Sequence, residues 1–174
     1  MKMLSALLLF GSLAIAQTQS TSPAIAPGCG SDNAKFDVKT DKQKHPTLQP
    51  GAGKAMLYFI EDDRNFQSRP SPSTRLGVDG TWIGANHGDS YFYLPVDPGE
   101  HHLCAGWQSK VILGKGYEMA AAHFTAEAGK SYYFRVTNNW NHESKFGIEF
   151  GPLDVDEALL LMSKFSFSTS QLKK

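Results

Sequence analysis

"TRLGVDGTWIGANHGDSYFYLPVDPGEHHLCAGW", residues 74–107, decides the fold class, because it reads as four strands joined by turns. Asp79-Gly80 separates "TRLGV" from "TWIGA" and is a two-residue hairpin signal, since glycine tolerates the positive φ such a turn requires. "SYFYLPV" alternates, with Phe92, Leu94 and Val96 on one face and Tyr91 and Tyr93 on the other. Pro98-Gly99 marks the next turn. In the strand that follows, neighbours point to opposite faces, so Leu103, Ala105 and Trp107 share a face with His101, while His102 and Cys104 share the other with Gly106.

The same texture extends in both directions. "KAMLYFI", residues 54–60, is apolar on both alternations and suits a central strand covered on two sides. "EDDRNFQSRPSPS", residues 61–73, reads as a polar loop. "MAAAHFTA" ends at Ala126, "EAGK" turns, and "SYYFRVT" sets Tyr132, Phe134 and Val136 against Tyr133, Arg135 and Thr137. "KFGIEF" repeats the pattern with Phe146, Ile148 and Phe150. Strands at regular spacing with turn signals predict an all-β protein, an antiparallel β-sandwich of seven or eight strands, immunoglobulin-like or related. Near the C-terminus the period changes. Asp154 is placed to cap a helix over residues 155–164, with Val155, Ala158, Leu159 and Met162 on one face. "SFSTSQLKK", residues 166–174, reads as a polar, partly disordered tail.

The N-terminus sets the compartment. Lys2, the apolar run "LSALLLFGSL" and Ala14-Ile15-Ala16 form a secretory signal peptide over residues 1–16, cleaved after Ala16. An uncleaved anchor is the weaker alternative, the run being short for a membrane span. Residues 17–50 form an extended arm in which only "KFDV", residues 35–38, can make a short strand; residues 51–165 are the sandwich with its helix. Lipid anchoring at Cys29 is disfavoured, because polar "QTQSTSP" separates it from the apolar run. No second run of membrane length follows. The 17 basic and 17 acidic side chains balance, which argues against nucleic acid as a partner.

Chemical motifs are sparse. His102 and Cys104 supply at most two ligands where zinc normally takes at least three protein groups, so no metal is expected there. Glu61-Asp62-Asp63 lacks the patterned loop of a calcium site and reads as a solvated cluster. No nucleophile elbow, zinc-protease helix or phosphate loop is present, and neither a catalytic residue nor a cofactor is assigned. Cys29 and Cys104 are the only cysteines, and in an oxidising compartment they are expected to form a disulfide closing a loop of about 75 residues. Tyr91, Tyr93 and Tyr133 form a stripe that either binds a sugar or an extended peptide or is covered by the arm or the helix. Trp140, in "NNWNHES", is either a ligand contact or a cap on a sheet end.

In order, "GKAMLYFIEDD", "RLGVDGTWIGA", "SYFYLPVDPGEHHLC", "FTAEAGKSYYFRV" and "DVDEALLLMSKF" resemble an uncharacterised family of secreted or lipid-anchored bacterial domains of unknown function, over roughly residues 51–165. The resemblance implies an all-β envelope domain and carries no catalytic residues across. The expected function is that of a secreted or periplasmic, non-catalytic envelope module, structural or binding a cell-surface glycan or protein through Trp140, Tyr91, Tyr93 and Tyr133. The alternative is a small periplasmic hydrolase using carboxylates with His102 or His123.

Overall fold

The computed structural model describes residues 29–67, 70–108, 118–140 and 146–174; the expected signal peptide lies outside them. Ten strands and one helix are found among these residues: β1 (Phe36–Asp41), β2 (Ala55–Asp62), β3 (Ser73–Val78), β4 (Thr81–His87), β5 (Ser90–Val96), β6 (Gly99–Trp107), β7 (Met119–Ala126), β8 (Ser131–Trp140), β9 (Phe146–Pro152), α1 (Val155–Met162) and β10 (Ser166–Leu172). They form a six-stranded sheet, β1-β10-β5-β2-β8-β9, packed on a four-stranded sheet, β4-β3-β6-β7. The sandwich is as expected, with two differences: it has ten strands among the described residues rather than seven or eight, and the larger sheet is mixed, since β2 runs parallel to β8 and β10 parallel to β5. β2 is buried along its whole length between β5 and β8, which is why its sequence is apolar on both alternations.

The core between the sheets is built from one face of each strand. Leu57 and Phe59 of β2 meet Leu76, Leu103 and Ala105 from the smaller sheet, and Phe134 and Val136 from β8. Phe92 and Leu94 pack against this core, as the alternation of β5 requires. At the β3–β4 hairpin both turn residues have positive φ, Asp79 at 50° and Gly80 at 79°. This matches the two-residue turn whose twist follows that of its strands.

The same turn fixes a charge. The Asp79 carboxylate accepts from the His102 backbone N–H at 2.9 Å and faces His101 Nδ1 at 2.7 Å, while His101 Nε2 faces the Asp97 carbonyl at 2.7 Å. Both ring nitrogens meet acceptors, so the ring must donate twice and is an imidazolium. Burial opposes that charge, but the bonds to Asp97 and Asp79 outweigh it and hold the His101 pKa above its ordinary value. A histidine with a raised folded-state pKa stabilises below its unfolded value of about 6.5, and that stability is lost as pH climbs through the folded value. The urea midpoint is therefore expected to decline from about pH 6.5 upward, and His101→Gln to flatten the decline. An unchanged slope in the variant would refute the assignment.

The outer face of the larger sheet carries an aromatic layer. Tyr58 stacks on Tyr133 with centroids 4.9 Å apart, and it tilts against Tyr93 at 5.2 Å. α1 covers this layer, burying Ala158, Leu161 and Met162 against Met56, Tyr58, Ile60 and Tyr91. The predicted helix face is thus rotated: Ala158 and Met162 point in, but Val155 and Leu159 are exposed and Leu161 takes their place. Asp154 caps the helix as expected, its carboxylate accepting from the N–H groups of Asp156 and Glu157.

The C-terminal segment overturns the reading of residues 166–174 as a polar tail. Ser166–Leu172 is a strand, antiparallel to β1 along its length. Its serines bind the neighbouring sheet: Ser168 Oγ donates to the Ala85 carbonyl at 3.3 Å, and Ala85 N–H donates to Ser170 Oγ at 3.0 Å. Hydroxyls that look solvated in the sequence thus satisfy backbone groups on edge strand β4.

The arm lies over the smaller sheet, as the expected bridge demands, and Cys29 is bonded to Cys104. The Trp82 ring lies over the glycines of β3 and β6, where a Cβ on Gly77 or Gly106 would come within 3.1 or 3.3 Å of it. Its Nε1 donates to the Ser31 carbonyl at 3.0 Å. Arg75 stacks over the same ring at 4.5 Å and donates to the carbonyls of Asp32 and Ala34, both at 2.9 Å. Gln108 accepts from Phe36 N–H and donates to its carbonyl, which ties the start of β1 to the end of β6.

Candidate functional site

On the outer face of the larger sheet, beyond α1, the alternation of β8 turns polar. Phe134, Val136 and Asn138 point into the sandwich and are buried, so Arg135, Thr137 and Asn139 point out. β9 lies antiparallel beside them and sets Gly151 next to Arg135 and Glu149 next to Thr137. On the other side, Asp62 ends β2, and the turn after it brings Arg64, Asn65 and Gln67 to the same place. The result is a cleft of about 500 Å³ closed at one end by Trp140. That volume lies within the usual range for small-molecule sites.

Both guanidiniums of the cleft are held in ion pairs. Arg64 grips Asp62 with two hydrogen bonds, Nε to Oδ1 at 2.8 Å and Nη2 to Oδ2 at 2.7 Å. Burial raises the Asp62 pKa, but these bonds outweigh it and leave the carboxyl below its ordinary value. Arg135 pairs with Glu157 of α1 at 2.5 Å, fastening the helix to β8. Trp140 meets Phe66 edge-on at 5.9 Å, and Phe66 in turn meets buried Trp107 edge-on at 6.2 Å. A rigid aromatic chain therefore runs from the core to the end of the cleft. What this arrangement offers a ligand is one aromatic ring, three amide side chains, a threonine hydroxyl, the Glu149 carboxylate and two ion pairs.

The candidate residues fall in three places. Trp140 lines the polar cleft, at the end of β8 rather than in a loop. Tyr133 lines a second cleft of about 550 Å³ with Phe124, Tyr132, Phe134 and Val155, where the walls are largely the rims of core rings. Tyr91 is fully buried and Tyr93 half-buried beneath the cover. The Tyr91 hydroxyl donates to the Pro46 carbonyl at 3.2 Å, and burial pushes its pKa up to about 12. The Tyr58 hydroxyl is similarly engaged with the backbone of Leu48. Of the stripe, Tyr91 and Tyr93 are thus covered, whereas Tyr133 borders the second cleft.

The histidines named for hydrolysis lie elsewhere. His102 and His123 face each other across β6 and β7 on the smaller sheet, neither lines the Trp140 cleft, and His123 borders the second cleft with Tyr133. Among the described residues no group of three or more histidine, cysteine or acidic side chains is arranged to hold a metal ion. The acidic triplet requires a correction: Glu61, Asp62 and Asp63 are all buried rather than solvated. Glu61 and Asp63 turn inward, where Asn138 Nδ2 donates to Glu61 Oε1 at 2.8 Å and to Asp63 Oδ1 at 2.7 Å. Asp62 alone faces the cleft. The cleft residues other than Trp140 had one sequence signal, the polar outward positions of "SYYFRVT"; their union with residues 62–67 depends on the parallel pairing of β2 with β8.

Among the described residues no helix is long and apolar enough to cross a membrane. Comparison with known proteins finds one family model, described as "Protein of unknown function (DUF2846)", which matches residues 51–147, more than half of the chain. No curated protein and no solved structure matches. The matched span takes in Asp62, Arg64, Arg135 and Trp140, and ends before α1 and β10.

Proposed function

The chain belongs to this family of unknown function, and from that premise we propose that it is a non-catalytic module of the extracytoplasmic envelope that binds a surface glycan in the Trp140 cleft. The observation that carries the reading is the composition of that cleft: a tryptophan at one end of a wall of amides, a hydroxyl and ion pairs on a rigid sheet face. A sugar presents an apolar ring face edged with hydroxyls, and those groups suit such a lining. The Cys29–Cys104 bond supports an oxidising compartment, where disulfides persist. The leader expected over residues 1–16 points the same way.

Co-sedimentation of the protein with purified cell-wall sacculi tests the proposal. Trp140→Ala is expected to weaken binding by about tenfold or more, as truncating an aromatic anchor does. The neighbouring surface change Lys164→Ala serves as control. If wild-type protein stays in the supernatant, or if Trp140→Ala sediments equally, the reading fails. Assaying the same supernatants for released reducing ends tests the hydrolytic alternative, which requires release that depends on His102 or His123.

A further inference from the structure

We propose that the cleft is one half of a longer groove, and that its ligand is a linear, uncharged, β-linked oligosaccharide rather than a single sugar; this rests on the glycan-binding reading above. A second depression of about 240 Å³ continues along β8 and β9. It shares Arg135, Thr137 and Glu149 with the Trp140 cleft and extends it to Gly151 and Pro152. Trp140 pairs with Phe146 at one end of this ladder, and Phe134 pairs with Pro152 at the other. Six residue steps at the rise of a strand make a groove about 20 Å long, enough for several linked rings.

Three features select the ligand. The floor is a sheet face whose outward lane holds Thr137 and Gly151, so it accommodates a flat, ribbon-like chain. Gly151 leaves space beside Arg135, since a Cβ placed there would have no heavy atom within 4 Å. Both guanidiniums are already engaged, Arg64 by Asp62 and Arg135 by Glu157. With a carboxylate already on each guanidinium and Glu149 also in the wall, the groove offers no excess positive charge to a phosphate or uronate, whereas neutral hydroxyls can bond to the N–H groups and oxygens that remain. The backbone of β8 is paired on both sides, with β2 and β9, so an extended peptide laid over β8 finds no strand edge there; the edge strand of this sheet is β9.

The test is a calorimetric titration of the full chain with chito-oligosaccharides, from the monosaccharide to the hexasaccharide, repeated with Gly151→Trp. For the wild type, affinity is expected to rise about tenfold or more from disaccharide to tetrasaccharide and then level off. In Gly151→Trp the gain from disaccharide to tetrasaccharide should be lost, so that the two bind equally. The length series on the wild type stands even if the variant does not fold. Equal affinity for short and long chains overturns the extended groove while leaving glycan binding in place. Tighter binding of a polyuronate of equal length overturns the uncharged ligand. Failure of every oligosaccharide while sacculi still sediment overturns this inference alone, and failure of both overturns the function as well.

Discussion

Asn138→Ala is expected to destabilise the protein by about 3 kcal/mol or more, because each buried polar group left without its partner costs about 1–3 kcal/mol and a charged one more. Asn138 is fully buried between the sheets, and one amide serves several groups. Its Nδ2 reaches the carboxylates of Glu61 and Asp63 and lies 3.1 Å from Thr74 Oγ1, while its Oδ1 accepts from Trp107 Nε1 at 2.7 Å. Alanine removes these bonds and leaves too small a space to hydrate every group. Burial, with the neighbouring Asp63, raises the Glu61 carboxyl well above its ordinary pKa. A carboxyl raised on folding keeps its proton longer in the native state. The contribution of Glu61 to stability is therefore greatest below the unfolded carboxylate value of about 4.3 and falls as pH rises from there toward the folded value. Glu61→Gln, which mimics the protonated form, should remove that component of the slope. Urea denaturation of both variants across pH checks the pair of expectations. A loss under about 1 kcal/mol for Asn138→Ala, or a wild-type slope in Glu61→Gln, would contradict this account of the network.

Removing the disulfide should cost nearly as much. Cys29 and Cys104 are separated by 75 residues, and a bridge closing such a loop restricts the unfolded chain by about 4 kcal/mol in the chain-entropy model. For a domain of this size, that corresponds to a fall in Tm on the order of 10 °C. The native contacts of the arm persist without the bond: Trp82 and Arg75 still hold the carbonyls of residues 31–34, and Gln108 still holds Phe36. The Cys29→Ala/Cys104→Ala double variant should therefore fold with the same far-ultraviolet circular dichroism and melt earlier. Calorimetry with and without reductant gives the same comparison on the unaltered chain. Melting that reductant does not shift would contradict this account of the bridge.

Much of the scaffold is legible locally. The Asp79-Gly80 hairpin, the alternation of "SYFYLPV" and "SYYFRVT", the buried run of β2 and the Asp154 cap all follow from residues adjacent in the chain. Strand period, turn φ and capping are short-range properties, and each has its own residue signature. The disulfide is legible for a different reason: with two cysteines only one pairing exists. The errors share a cause. β10 looks like a solvated tail because its serines are polar, but their partners are the backbone groups of Ala85, far away in the chain. The acidic triplet looks exposed because its compensating amide, Asn138, comes from another strand. The helix stripe is displaced because Leu159, Leu160 and Leu161 allow more than one apolar face, and packing on the tyrosine layer selects the one with Ala158, Leu161 and Met162.

The candidate site is the extreme case. Trp140 and the polar outward positions of β8 can be read from the chain, but Asp62, Arg64 and Gln67 join them only because β2 and β8 lie parallel, and Glu149 and Gly151 only because β9 turns back beside β8. The sequence by itself determined a two-faced β-scaffold, its turns, its one bridge and the compartment its leader predicts. Tertiary structure alone decided which polar residues are buried and which converge on a cleft, because burial and convergence depend on pairing between segments that no local pattern encodes.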